Sequence, residues 1–183
     1  MIHHPPTAAF LLRRLGPADA AQYRALRLAG LRAFPHAFRP SVEEALAQPL
    51  SWAEARLAQE GEYWFGAFDG ALEGHSLVGA ICLRTQQGAK IRHSASLNAL
   101  VVDPERQRAG IGGALVAHLI DSARALGYLR QITLTVHEGN TAAERLYERY
   151  GFVQFGLESD AFLHNGAYCA KQHRQLLLVT STS

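Results

Sequence analysis

The sequence is poor in cysteine, with only Cys82 and Cys169 among its 183 residues. Two cysteines cannot form the disulfide framework of a small secreted domain, so their scarcity favours a reducing compartment. Cys82 lies in the apolar run at residues 78–83 and is predicted to be a buried, structural thiol. No cysteine pair has zinc-finger spacing and the nine histidines are scattered, so we expect no metal site.

Long apolar runs and a strong charge of either sign are also missing. No run approaches the ~20 apolar residues of a membrane span, and residues 1–6 lack the apolar core of a signal peptide. The formal net charge is only +2, with acids and bases mixed, a pattern that does not favour nucleic-acid binding. With 48% hydrophobic and 19% charged residues, the composition predicts one globular domain over residues 1–183, in the cytoplasm, without a membrane or nucleic-acid partner.

Strand-like and helix-like segments alternate along the chain. Apolar alternation predicts strands, and apolar residues at helical spacing predict helices that begin after Gly16, at Ser41 and at Ser51. The order predicts a mixed sheet with helices on both faces, of class α/β or α+β. Two further helices are predicted at residues 111–126 and 141–150, and strands at residues 10–15, 63–68, 77–85, 94–102, 131–136, 152–162 and 168–179.

Three local signals indicate how these segments begin or are joined. Ser41, with Glu44 three residues later, forms a capping-box pattern at a helix start. A glycine-bearing turn at residues 69–74 is predicted to join two strands. The pair Asn165-Gly166 is typical of a two-residue turn in a β-hairpin.

The most informative segment is a strand end followed by a basic, glycine-rich helix start. Unpaired N–H groups at a helix start, together with the helix dipole, favour an anion there. Gly110 and Gly112 remove side chains that would block its approach, and Arg106 and Arg108 add positive charge. The segment therefore predicts a pyrophosphate site, although glycines kept for tight helix packing would give the same pattern. The residues of the predicted site are Gln107, Arg108, Ala109, Gly110, Ile111, Gly112 and Gly113.

Two other phosphate-binding patterns fit this segment less well. It has no Gly-Lys pair followed by Ser or Thr, as a P-loop requires. Leu115 occupies the third glycine position of a dinucleotide-binding fingerprint, and no acidic ribose partner follows in the expected strand. A nucleotide-phosphate-binding module therefore stays open only as an alternative from another class.

A second motif lies downstream, in and around the helix predicted at residues 141–150. The two motifs, at this separation, resemble the GCN5-related N-acetyltransferase (GNAT) family over about residues 94–178. Upstream of that region only the order of the elements is similar. The motifs are Gln107-x-x-Gly110-x-Gly112 and Asn140-x-x-Ala143-x-x-Leu146-Tyr147-x-x-x-Gly151-Phe152.

The resemblance implies a GNAT-like splayed mixed β-sheet of about seven strands. It divides the chain into an acceptor-side half at residues 8–92 and an acetyl-CoA-binding half at residues 93–179. Acetyl-CoA would be the co-substrate, without a metal, and would lie in a V between the strands at residues 94–102 and 131–136.

The same resemblance implies roles for single residues. Backbone groups of Leu100 and Val102 would pair with the pantetheine arm like an added strand, and residues 107–113 would hold the pyrophosphate. Asn140 would contact the pantetheine arm, and Tyr147 would lie near the coenzyme sulfur.

These roles imply transfer of an acetyl group from acetyl-CoA to a primary amine by direct attack. The Val102 N–H would stabilise the developing oxyanion, and Tyr147 would protonate the leaving thiolate as the general acid. From spacing alone, Tyr147 would instead be a packing residue. The strand at residues 93–100 lacks the glutamate base of many family members, which leaves His93 as the nearest ionisable group, unless it is only a solvated strand-end residue.

The missing carboxylate has two further consequences. It keeps open a catalytically silent, acyl-CoA-binding sensor domain of the same fold. In an enzyme it favours a small-molecule amine or peptide acceptor of low pKa, such as an α-amine, over a lysine ε-amine. The acceptor pocket is expected from the N-terminal helices, their connection at residues 34–38 and the hairpin at residues 162–168. The last strand, residues 172–179, could pair across a homodimer.

Overall fold

The computed structural model describes residues 10–35, 38, 40–70 and 75–178. The strands are β1 (Leu11–Arg14), β2 (Glu62–Asp69), β3 (Ser76–Thr85), β4 (Ser94–Val102), β5 (Gln131–His137), β6 (Val153–His164) and β7 (Ala167–Leu177). They form one sheet in the order β1-β2-β3-β4-β5-β7-β6. Neighbouring strands are antiparallel except β4 and β5, which are parallel. The mixed sheet predicted from the sequence is thereby confirmed.

Five α-helices accompany this sheet within the described residues. They are α1 (Ala20–Ala33), α2 (Val42–Ala47), α3 (Leu50–Leu57), α4 (Ile111–Ala125) and α5 (Thr141–Arg149). The longest of them, α4, has 15 residues. No helix in the described part of the chain has the length and apolar character needed to cross a membrane.

The helix starts agree with the sequence patterns at one position and differ at another. In the predicted capping box, the Glu44 N–H donates to Ser41 Oγ (3.1 Å) and the Ser41 N–H donates to Glu44 Oε2 (2.8 Å). The predicted start at Ser51 is wrong, because α3 begins at Leu50 with Pro49 as its extended N-cap. Proline at this position removes no helical hydrogen bond, because the first N–H groups of a helix have no partner within it.

The Asn165-Gly166 hairpin turn is confirmed. Asn165 and Gly166 have φ values of 50° and 78°, the positive values that a type I′ turn requires. They join β6 to β7 with His164 opposite Ala167. Most of the turn predicted at residues 69–74 lies outside the described residues, as does residue 179 at the predicted end of the last strand.

The sheet has a hydrophobic core on each face. In β3, Ala80 and Cys82 belong to the core with α1 and α3, whereas Ile81 and Leu83 belong to the core with α4 and α5. All four are fully buried. Because helices cover both faces, the inner strands are almost continuously apolar rather than alternating. Burial raises the pKa of the Cys82 thiol to about 12, which agrees with its predicted structural character.

The strands β4 and β5 pair at one end only. Residues 94–96 lie opposite residues 131–133, and no further pairs follow. Beyond this point the two strands diverge toward the C-terminal end of β4, so that the sheet opens into the V that the family resemblance implies.

The last strand, β7, lies inside the sheet. Its residues 171–175 pair with β5 on one side and with β6 on the other. The expectation that residues 172–179 pair across a homodimer is therefore wrong for residues 172–175, whose backbone groups are already used within the chain. The open edge on this side of the sheet is β6.

Candidate functional site

A cavity of about 730 Å³ occupies the gap between β4 and β5. The diverging parts of the two strands, residues 97–100 and 135–137, form two of its walls, and α5 contributes a third. Side chains from α1, from α3 and from the described residues between these helices line the opposite side. The two halves of the chain therefore meet at this cavity.

A β-bulge distorts β4 beside the cavity. The pairing with β3 shifts between Asn98 and Val101, so that Ala99 and Leu100 together oppose a single β3 residue. Ala99 has a φ of 53°, an uncommon value for a residue with a Cβ and a sign of local strain. Bulges of this kind release backbone groups from the ladder, and both bulge residues line the cavity.

Val102 directs its N–H to the open side of β4. The N–H of the next residue, Asp103, donates to the Val78 carbonyl on β3 (2.9 Å). Successive backbone groups of a strand point in opposite directions, so the Val102 N–H points away from β3. No described strand lies beside it there, because β5 pairs with β4 only as far as Ser96.

The glycine-rich segment forms the N-terminus of α4. Gly110 is the N-cap, with a φ of 84° that favours glycine, and no side chain of the described residues forms a cap hydrogen bond there. Arg106 pairs with Asp69, so its charge is partly balanced. Arg108 is exposed and has no ion-pair partner among the described residues. The helix start thus has unsatisfied N–H groups and one unbalanced cation, which together suit an anion.

The remaining loop residues expose different groups. Gln107 and Ala109 are exposed beside the helix start. The Ile111 side chain is buried in the core, at 1% exposure. Only the backbone of Ile111 can therefore meet a ligand.

The two glycines in the first turn of α4 differ in their surroundings. A Cβ at Gly112 would meet Leu146 Cδ2 at 3.5 Å and Val102 Cγ2 at 3.7 Å, which is ordinary contact. A Cβ at Gly113 would come within 3.0 Å of the Tyr150 hydroxyl. Packing within the chain thus favours glycine at position 113, whereas a requirement for glycine at position 112 would reflect a ligand.

Helix α5 places two predicted site residues against the cavity. Asn140 is its N-cap, and its Oδ1 accepts from the Ala143 N–H (3.3 Å), which leaves the side-chain NH₂ group for a ligand. Tyr147 is 6% exposed and packs edge-on against Phe152, with 5.8 Å between the ring centroids. Burial raises the pKa of the Tyr147 hydroxyl above its ordinary value, which keeps the hydroxyl protonated.

The structure does not bring His93 into the cavity. His93 is exposed in the turn before β4, and its carbonyl accepts from the Arg130 N–H (2.7 Å). This is the closed end of the β4–β5 pair, where Ser94 lies opposite Gln131, and the cavity lies where the strands have diverged.

Two proton acceptors that the sequence did not single out for catalysis line the cavity. They are Glu44, predicted only as a capping residue, and His137. The alternation of side chains along β5 could have indicated His137. His137 follows Thr135 by two residues, so both side chains lie on the same face of the strand. Of the other carboxylates, Glu62 is buried outside the lining and Asp160 is exposed on β6. No three His, Cys, Asp or Glu side chains come together to hold a metal ion in the described part of the chain.

The divergent mixed sheet, the bulged strand and the glycine start of α4 define an α+β protein whose sheet opens into a cleft beside an uncapped helix start. The chain belongs to the acetyltransferase (GNAT) family, whose sequence profile matches residues 28–152.

Two curated relatives illustrate the similarity in sequence. The chain is 34% identical over 155 residues to a mycothiol acetyltransferase from Geodermatophilus obscurus, covering 79% of this chain and 48% of that protein. It is 45% identical over 58 residues to the [ribosomal protein bS18]-alanine N-acetyltransferase of Escherichia coli, covering 32% of this chain and 38% of that protein. The chain thus spans about half, or less, of the length of these relatives.

Solved structures share the fold over nearly the whole chain. An acetyltransferase of the GNAT family from Streptococcus pneumoniae superposes with a TM-score of 0.80 at 25% identity, covering 93% of this chain and all of that one. The structure of yncA from Salmonella typhimurium with its cofactor acetyl-CoA gives a TM-score of 0.73 at 22% identity, covering 96% and 97%. The second likeness shows the shared fold only.

Proposed function

We propose that this chain is an acetyl-CoA-dependent N-acetyltransferase that acts on a primary amine. The observation that carries the proposal is the adjacency of three features: the uncapped start of α4, the open side of β4, and α5 with Tyr147. Gly112, in the first turn of α4, shows how close the three features are. A Cβ there would lie 3.7 Å from Val102 on β4 and 3.5 Å from Leu146 on α5. Membership of the family supports the same conclusion.

The residues present fit the co-substrate. Backbone N–H groups of residues 107–113, with the charge of Arg108, would hold its pyrophosphate. The released backbone groups of Leu100 and Val102, and the side-chain NH₂ of Asn140, would hold the pantetheine arm. The thioester, when bound, supplies an activated acetyl group.

The chain's own groups then have three tasks in the transfer. The neutral amine nitrogen attacks the thioester carbonyl carbon, the C–N bond forms and the C–S bond breaks, while the Val102 N–H stabilises negative charge on the carbonyl oxygen. Tyr147 gives its proton to the leaving thiolate. A base accepts the proton that the nitrogen loses, and this proton finally restores the Tyr147 hydroxyl, so that the products are an amide and a free thiol.

We assign the base to His137 in this proposal, with Glu44 as the second candidate. Among the described residues, they are the two groups lining the cavity that can accept a proton near neutral pH, since the other ionisable groups described there are arginine, lysine and Tyr147. His137 lies on β5 itself, beside the gap. Glu44 Oε2 is already engaged with the Ser41 N–H (2.8 Å). His93 receives no role, because it does not line the cavity.

Residues 8–92 would provide the acceptor side of a single domain, and residues 93–179 the coenzyme side. Phe38 and Glu44 line the cavity from the first of these halves. The hairpin of β6 and β7 lines an adjacent cavity of about 530 Å³ together with Phe38. The relatives named for mycothiol and for an alanine of a ribosomal protein support either a small-molecule amine or a peptide as the acceptor.

A screen of amines with acetyl-CoA, read by free thiol release, tests the proposal. We expect release that requires both an amine and the protein, together with acetyl-CoA binding in a calorimetric titration. Binding without turnover of any amine would instead favour the silent sensor domain, for which the absence of a carboxylate on β4 is the supporting observation. Binding of ATP or NAD but not of acetyl-CoA would favour the nucleotide-phosphate module.

A further inference from the structure

The cavity lining carries an excess of positive charge. Among the described residues, its cationic side chains are Arg27, Arg56, Arg84 and Lys171, and its carboxylate is Glu44. A cleft lined mainly by one sign of charge concentrates ligands of the opposite sign. The lining therefore favours an anionic group in the cavity.

The arginines differ in how their charge is balanced. Arg84 is neutralised by the buried Glu62, with Nε–Oε1 and Nη2–Oε1 distances of 2.7 and 2.6 Å. Arg27 and Arg56 form no ion pair with any carboxylate in the described part of the chain. In the described lining, the unbalanced positive charge on the acceptor side thus resides on these two guanidinium groups.

A tryptophan holds both groups in place. The Cζ atoms of Arg27 and Arg56 lie 5.6 and 5.3 Å from the centroid of the Trp52 ring, and Arg56 Cζ also lies 5.1 Å from the Trp64 centroid. Stacking restrains a guanidinium without neutralising it. Arg56 Nε is buried without a hydrogen-bond partner among the described residues, so a ligand would reach this guanidinium at its terminal nitrogens.

We propose that Arg27 and Arg56 bind an anionic group, a carboxylate in the simplest case, that belongs to the amine acceptor. A planar carboxylate accepts two N–H donors side by side, which suits guanidinium groups held on one ring. Arg27 lies on α1 and Arg56 lies on α3, across the cavity from β4 and β5. The inference rests on the proposed function, and it specifies the acceptor as a small amino acid or a similar amine that carries negative charge.

Pairs of acceptors that differ only in charge test this inference. Glycine and glycinamide, β-alanine and its amide, and glutamate and glutamine vary the distance between the amine and the carboxylate. For wild type and for Arg56→Gln and Arg27→Gln, kcat/KM is measured for each member at one pH. We expect the acid-to-amide ratio of at least one pair to fall about tenfold or more in each variant. The intrinsic amine pKa values cancel in this comparison, because only the change of the ratio is read.

Control variants separate charge from folding. Arg32→Gln removes an exposed arginine from the same helix as Arg27 and should leave every ratio unchanged. Arg56→Lys keeps the charge at the stacked position and should retain part of the preference. The thermal midpoint of each variant reports on folding, and Arg27→Gln carries the test if Arg56→Gln does not fold.

A binding measurement keeps this inference distinct from the proposed function. Succinate, an anion without an amine, should bind wild type in a calorimetric titration and bind the glutamine variants at least about tenfold more weakly. The affinity for acetyl-CoA should not change, because the start of α4 holds its pyrophosphate. If no amine is acetylated but succinate binds in this pattern, the proposed function fails and the anion site stands. Turnover with unchanged ratios in both variants, or a loss of acetyl-CoA affinity in place of acid preference, would overturn the inference.

Discussion

Tyr147 combines two properties that a proton donor to a thiolate requires. It lines the cavity from α5, and burial raises the pKa of its hydroxyl, so that the neutral form predominates throughout the pH range of an ordinary assay. The same burial makes the hydroxyl a weaker acid. It can give up its proton only when a thiolate that is itself poorly hydrated lies beside it. The position of the ring, fixed by packing against Phe152, is therefore as important as the hydroxyl.

The exchange Tyr147→Phe keeps the ring and removes the proton. We expect kcat to fall by roughly 10²-fold, within the range of general acid catalysis, with little change in KM for acetyl-CoA. Steady-state rates from pH 6 to 9 check this, and the thermal midpoint should stay close to that of wild type because the edge-on contact with Phe152 is retained. Turnover at the wild-type rate across this range would make Tyr147 a packing residue.

At the scale of the element, the start of α4 is the feature that the sequence predicts in most detail. The exchange Gly112→Asp adds bulk and a negative charge where we propose that the pyrophosphate binds. We expect acetyl-CoA affinity to fall at least tenfold, roughly 1.4 kcal/mol, in a calorimetric titration. The chain itself leaves room for a Cβ, because the nearest atoms would be 3.5 and 3.7 Å away.

A matched variant distinguishes this effect from a general effect of the new side chain. Gly16→Asp places the same group before the short 3-10 helix Pro17–Asp19 that precedes α1, where no atom lies within 4 Å of a Cβ, and should leave acetyl-CoA affinity unchanged. Unaltered affinity in a folded Gly112→Asp protein would move the pyrophosphate site elsewhere.

A second element boundary, between β1 and α1, has a pH-dependent contact. The Arg13 guanidinium donates to both Asp19 carboxyl oxygens (2.7 and 3.0 Å), and the Gly16 N–H donates to Oδ2 (3.0 Å). The hydrogen bonds from Arg13 hold the pKa of the Asp19 carboxyl below its ordinary value. A lowered pKa in the folded state means that the contact stabilises the fold above the unfolded-state pKa and that this stability is lost as the pH falls through the folded value.

The exchange Asp19→Asn should therefore reduce the free energy of unfolding at pH 7 by roughly 1–2 kcal/mol. The difference from wild type should shrink below about pH 4, where the unfolded carboxyl becomes protonated. Urea denaturation at pH 7, 5 and 3 measures it. Asp121→Asn, in a pair with Arg124 whose side chains are 76% and 56% exposed, should change little at any pH. A difference for Asp19→Asn that is independent of pH would refute the ionic explanation.

The strands and the start of α4 could be predicted because each depends on residues that are adjacent in the chain. The span of β4 follows from its apolar run and from the Asp103-Pro104 pair that ends it. The position of His93 outside the cavity lining could not be predicted in this way. The end of β4 that faces the gap depends on where β5 stops pairing, which no local pattern specifies. Arg27, Arg56 and Trp52 likewise come from two helices, and only tertiary packing places them together.

At the scale of the whole molecule, the net charge of +2 gives no indication of the field inside the cavity. Among the described residues, four cations line the cavity against Glu44, although the charge of Arg84 is balanced by Glu62. A positive surrounding disfavours an ammonium and lowers the pKa of an amine bound there. In the proposed enzyme, this positive charge would favour the neutral form of the acceptor amine.

The choice between amines depends on their intrinsic pKa values, because a positive cavity lowers the pKa of every amine bound there. An α-amino group has a pKa near 8 and a lysine side chain about 10.4, so that roughly a quarter of the first and about 0.1% of the second are neutral at pH 7.5. The gap corresponds to roughly 3 kcal/mol of deprotonation. A positive cavity lowers both values but is not expected to close a gap of this size, so we expect an α-amine to be acetylated in preference to an ε-amine.

The dipeptide alanyl-lysine offers both amines and a carboxylate in one molecule. At pH 7.5 with acetyl-CoA, mass spectrometry of the products should show acetylation predominantly on the α-amine, and the same dipeptide with a blocked N-terminus should react much more slowly. Predominant ε-acetylation would contradict the prediction and would require a base strong enough to deprotonate a lysine within the cavity. The structure restricts where that base would be, because Glu44 and His137 are the proton acceptors in the described lining. Loss of the ε-product in Glu44→Gln or in His137→Gln would then identify it.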